Sequence, residues 1–200
     1  MPAEESEEDM GAKDPGITRE AALALVREKL AAQPNLIKHC LASEAIMRAL
    51  APRFGEEPEF WGLAGLLHDI DLGEVGDDMH RHAEVGAEFL RARGVHGEIV
   101  EAVRRHNEAL GVPRQTTFDH ALAAAETVTG LITATALVYP DKKLASVKTK
   151  SVTKRYKEKH FAAGADRAII AECEQIGIPL AEFMELSLQA MTGIAGELGL

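Results

Sequence analysis

Apolar residues recur along this chain at the three- and four-residue spacing of a helix face, and nowhere alternate convincingly over the length of a strand. The expectation is an all-α protein with little or no sheet. Thr18 is placed to cap a first helix running to about Leu30, and Pro34 opens a second that reaches about Arg53. Pro58 starts a third, apolar along most of its length, which ends near Asp69. After a polar, glycine-containing loop over 70–80, the pattern predicts a helix from about His82 to Arg93, stopped by Gly94. Another runs from about Gly97 to Leu110. A long helix covers roughly Phe118 to Val138 and is closed by Pro140, and three more are expected near 151–162, 165–176 and 179–198. No internal repeat is visible.

The polar positions that break these apolar faces are the informative ones. His39, His68, His82 and His106 fall on four different predicted helices, and three of them have apolar partners at helical spacing: Leu36 and Ile46 for His39, Val103 and Ile99 for His106, Val85 and Phe89 for His82. All four should point inward. A single inward histidine is ordinarily a hydrogen-bonded core residue, but four of them with Asp69 in one small core would cost several kcal/mol without a shared partner. A divalent cation would satisfy them together. The long helix adds Asp119 and Glu126, seven residues apart and about 10 Å apart along the axis, too far for both to reach one ion easily. Asp119 sits where a capping role would explain it, whereas Glu126 lies mid-helix among Leu122, Ala123 and Gly130 and is the favoured ligand.

Composition narrows the class. Two hundred residues, 46% hydrophobic and 4% aromatic, suit one aliphatic core. The acidic stretch 1–16 reads as a frayed tail without a signal-peptide core. The longest oily stretch carries Glu126 and four threonines, so no membrane span is expected. Cys40 and Cys173 match no metal or redox spacing and read as reduced thiols of a cytoplasmic protein. A net charge of -10 argues against a general nucleic-acid binder. Eight Lys/Arg face one acid between Lys142 and Lys159, however, which leaves about -17 on the rest of the chain.

A histidine on an early helix, the pair His68-Asp69 closing a later one, histidines on the next two, and an acid on a following long helix resemble the HD-domain metal-dependent phosphohydrolase superfamily. The likeness covers roughly 35–138 as the core, and the run from Lys143 to Met191 is similar to the C-terminal part of an uncharacterised prokaryotic group of HD proteins. The resemblance implies an HD-type helical bundle over 17–140, with a basic segment and C-terminal helices over 141–200 packed on it. It implies one or two divalent transition ions (Mn, Fe, Ni, Co or Zn), with His39, His68, Asp69 and Glu126 holding one, and Asp69 bridging to a second held by His82 and His106. His68 and Asp69 would then be the catalytic pair. Two departures stand out: the last ligand is usually aspartate where this chain has Glu126, and many relatives read His-Asp-Ile-Gly where this chain has Asp71.

The implied activity is hydrolysis of a phosphate mono- or diester, of a small phosphorylated compound or a nucleotide, by a metal-activated water. Arg104, Arg105, Lys148 and Lys150 are candidates to meet the phosphate. The alternative is a non-catalytic metal- or nucleotide-binding regulatory module on the same fold, for which Glu126 in place of aspartate and the lack of a clear general acid are the support.

Overall fold

A computed structural model describes residues 13–200, all helix, turn and loop, with no strand among them. The elements are α1 (Arg19–Lys29), α2 (Pro34–Leu50), α3 (Pro58–Leu67), α4 (Leu72–Val75), α5 (Glu84–Arg91), α6 (Gly97–His106), α7 (Thr117–Leu137), α8 (Thr149–Lys157), α9 (Arg167–Ile170), α10 (Leu180–Gly193) and α11 (Ala195–Leu198). Helix α7 is the axis. It packs against α2, α3, α6, α8, α9 and α10, and its apolar side chains join a core that runs from Ala22 to Leu198. Thr116 and Asp119 close a reciprocal capping box at its start, so two of the orphan amides are satisfied where the helix enters the core. Asp119 is thereby explained as a capping residue.

Helices α2 and α3 form the closest pair. A methyl group on Gly65 would lie 2.6 Å from the backbone of Ser43, so only glycine lets α3 reach α2 here. That approach seats His39 of α2 beside His68 at the end of α3.

Four boundaries differ from the periodic reading, each for a local reason. Helix α2 stops at Leu50 and tightens into a 3₁₀ turn over Ala51–Phe54, which Gly55 ends with φ +70°. The expected loop after Asp69 contains the short helix α4. His82 precedes α5 rather than lying in it, because Ala83 takes φ +69° and the helix starts at Glu84. Helix α6 ends at His106, since Asn107 is extended.

The C-terminal helices are also shorter than expected. Between α8 and α9 the Arg167 guanidinium donates to the carbonyls of Arg155, Tyr156, Glu158, Phe161, Ala162 and Ala165, holding a wrapped turn in which Ala162 has φ +46°. These segments pack on α2 and α7. Residues 1–12 of the expected tail lie outside the described residues. Lys13–Gly16 are seated on the turn between α5 and α6: Lys13 pairs with Glu98, and the His96 amide donates to Pro15 O at 2.9 Å.

Candidate metal centre

Four imidazoles arrive from four places: mid-α2, the residue after α3, the turn before α5, and the last residue of α6. Each is locked through Nδ1. His68 Nδ1 lies 2.8 Å from Gly65 O, and His106 Nδ1 lies 2.5 Å from Val103 O. A carbonyl only accepts, so both Nδ1 atoms carry the proton. His82 Nδ1 donates to Asp71 Oδ1 at 2.9 Å. The Thr129 hydroxyl spends its hydrogen on Glu126 O at 2.6 Å and so must accept from His39 Nδ1 at 2.8 Å.

All four Nε2 atoms are then bare in the neutral rings, and they converge. His39 Nε2 lies 3.0 Å from His68 Nε2, and His82 Nε2 lies 3.1 Å from His106 Nε2. Asp69 stands between the two pairs. Its Oδ2 is 3.4 and 3.3 Å from the Nε2 atoms of His39 and His68, while its Oδ1 is 3.3 and 3.5 Å from those of His82 and His106. Glu126 Oε2 closes the first group at 3.7 Å from His39 Nε2. Lone pairs facing one another at 3 Å require a cation or a proton between them. This donor set fits a divalent metal ion, and the ligand atoms of His39, His68 and Glu126, and those of His68, Asp69 and His106, lie close enough to share one.

The charges follow from the same geometry. Burial and neighbouring His68 pull His39 down to about 4. Burial also lowers His82, but its hydrogen bonds to Asp69 and Asp71 outweigh it and hold the ring at about 9. Burial opposes ionisation of Asp69, yet His68, His106 and His82 keep its carboxyl well below the usual range. Burial pushes Glu126 up to about 7. Burial likewise lowers His68, but Asp69 outweighs it and raises the ring, so in the metal-free cluster a proton on one imidazole of each pair, His68 and His82, stands in for a cation.

A family comparison settles the class. The chain matches the HD domain over residues 36–136. It belongs to the HD-domain family. Among curated relatives, it is 31% identical to ribonuclease Y of Opitutus terrae over 94 residues, which are 47% of this chain and 18% of that protein. To ribonuclease Y of Sulfurovum sp. it is 32% identical over 73 residues, 36% of this chain and 14% of the relative. To the same-named protein of Nitratidesulfovibrio vulgaris the figures are 27% over 108 residues, 54% and 20%. The chain thus spans a fifth or less of these relatives' length. No solved structure matches.

For an HD-domain protein, the cluster also shows what the periodic pattern alone could not. Asp71 is a supporting residue: besides fixing His82, its Oδ2 accepts from the amides of Ala83 at 2.7 Å and Gly86 at 2.9 Å, thereby capping α5. Arg114 donates to His106 O at 3.0 Å and to Glu172 at 2.6 Å, and Glu172 accepts from His120 at 2.7 Å. The C-terminal segment is tied by this chain of contacts to a histidine of the cluster. No spacing signal links residues so far apart in sequence. Asp71 alone had a visible cue, its position two residues after Asp69.

The four basic candidates have no hydrogen bond or ion pair to the cluster. Arg104 pairs with Glu84 at 2.8 Å and Arg105 with Asp119 at 3.0 Å. Arg105 lines a separate cavity with Trp61 and Thr116 that contains none of the four histidines. Lys148 and Lys150 are exposed at the start of α8.

Proposed function

We propose that this protein is a metal-dependent phosphohydrolase. The observation that carries the reading is the set of four bare Nε2 atoms arranged as two pairs, one at each oxygen of Asp69. In this reading His39, His68, Asp69 and Glu126 would hold one divalent ion, and Asp69, His82 and His106 a second. When bound, such ions lower the pKa of water and offset the negative charge that gathers on a phosphoryl group during attack. The protein's own residues supply the rest. Gly65 O, Val103 O, Thr129 and Asp71 hold the rings in one tautomer and one orientation. Asp69 keeps its charge across the physiological range, because three surrounding imidazoles favour the carboxylate.

The overall reaction adds water across one P–O bond: the water oxygen joins phosphorus, and the ester oxygen leaves with a proton as an alcohol. Lys148 and Lys150 stay available to an extended phosphorylated substrate, whereas Arg104 and Arg105 would first have to release Glu84 and Asp119. Both cysteines are free and buried, in keeping with a cytoplasmic setting. No helix among the described residues is long and apolar enough to cross a membrane.

RNA is a second substrate reading, favoured by the likeness to ribonuclease Y and opposed by the net charge of -10. The test is elemental analysis of the purified protein, paired with assays under Mn(II), Co(II) and Ni(II) on phosphomonoesters, cyclic and linear diesters and a short oligoribonucleotide. Bound transition metal and turnover of one class are expected, with at least a thousandfold loss in an Asp69→Ala variant. Metal-free protein, or full activity in that variant, would overturn the reading. Metal binding with no turnover of any ester would favour the regulatory module instead.

A further inference from the structure

The cluster is sealed on most sides and open on one. The His68, Asp69, His82 and His106 side chains are at most 8% exposed, but His39 is 24% and Glu126 19% exposed. A cleft of about 480 Å³, within the size range of small-molecule sites, borders the cluster at His39, which with Thr129 forms part of its wall. From there it follows one face of α7. Its α7 residues run from Thr129 through Gly130, Thr133 and Ala134 to Leu137, so this wall spans about 12 Å along the helix axis, starting one turn beyond Glu126. Leu198 and Leu200 form the facing side, with Ala42 of α2.

Three features of this cleft specify an occupant. Its walls expose more apolar than polar surface, and their one ring is the His39 imidazole at the cluster end, so no aromatic platform for a nucleobase lies deeper in it. Leu137, at the far end, is 49% exposed, among the few large apolar side chains left open to water. The cleft also carries a cationic group: Lys38, next to His39 in sequence, lays its ammonium beside Gly199 on the wall.

We propose that the cleft binds the apolar alcohol portion of a phosphate ester, with the phosphoryl group presented past His39 to the four-histidine cluster and Lys38 beside the ester's negative charge. The substrate class is a phosphate ester of an aliphatic alcohol. This rests on the phosphohydrolase reading and narrows it.

The experiment uses two homologous series on the full chain: n-alkyl phosphates from methyl to octyl as substrates of the Mn(II)-loaded protein, and the matching n-alkylphosphonates as ligands in calorimetry with and without Mn(II). Beyond ethyl the leaving alcohols are nearly equal in acidity, so a trend reports the tail. Each added methylene is expected to lower KM and Kd by about two- to fourfold until the cleft is full, as burial of a methylene at about 0.8 kcal/mol allows. Adenosine 5′-monophosphate should bind more weakly than octyl phosphate, and Ala134→Phe should flatten the series.

A flat series in the native protein, or tighter binding of the nucleotide, overturns the proposal even if phosphatase activity is high. A steep phosphonate series without turnover supports the cleft while sinking the hydrolase reading. Because the native protein alone decides the slope, misfolding of Ala134→Phe would not obscure the result.

Discussion

Asp71 illustrates how one side chain can serve an element and a site together. One oxygen holds His82 and the other takes two amides of the α5 turn, so an amide in its place must direct an N–H group at a donor on one side or the other. Asp71→Asn is expected to cost about 1–3 kcal/mol of stability. It should also weaken metal binding by the His82–His106 pair by about 10- to 100-fold, as loss of a ligand's orienting partner does. Urea unfolding and a metal titration read the two effects separately; unchanged metal affinity would show that His82 needs no such support. The inward placing of the four histidines and Asp69, and the capping position of Asp119, were legible in the sequence because periodicity shows which residues share an apolar face and where a helix begins. The role of Asp71 was not, since it depends on the positive φ of Ala83, and an alanine announces no such turn.

At the scale of elements, the α2–α3 contact sets the first histidine pair. Gly65→Ala pushes a methyl group into the Ser43 backbone, and overpacking of this kind costs about 1–3 kcal/mol. Because the helices carry His39 and His68 at 3.0 Å, any separation should also weaken metal binding, which elemental analysis after dialysis would detect. The C-terminal segment is coupled differently. Glu172→Ala removes the shared acceptor of Arg114 and His120 in a largely buried setting, and a loss of about 3 kcal/mol is expected from chemical unfolding. The hydrophobic period predicts nine helices and eleven are present among the described residues, α4 lying in the expected loop and α11 breaking from the last helix. The ends did not follow either, since helices α3, α5 and α6 finish or begin where a histidine is delivered to the cluster, and those ends are set by contacts between elements.

For the molecule as a whole, ligands of the cluster come from five separate places along the first two-thirds of the chain, so an ion that binds only when they converge must stabilise the fold. Metal at 100 times its Kd is worth about 2.7 kcal/mol, and chelation should therefore lower Tm by roughly 5–10 °C relative to the loaded protein. Differential scanning calorimetry with EDTA and with Mn(II) checks this; coincident melts would deny the cluster its ion. By itself the sequence determined the helical class and the residues that turn inward, because side-chain type and spacing along a helix decide burial. Only the tertiary structure decided that each Nδ1 is occupied and each Nε2 turned to Asp69, that Asp69 divides the histidines into two pairs, and that a cleft borders the cluster at His39. Those are relations between segments dozens of residues apart, and they exist only once the packing of α2, α3, α6 and α7 has brought the segments together.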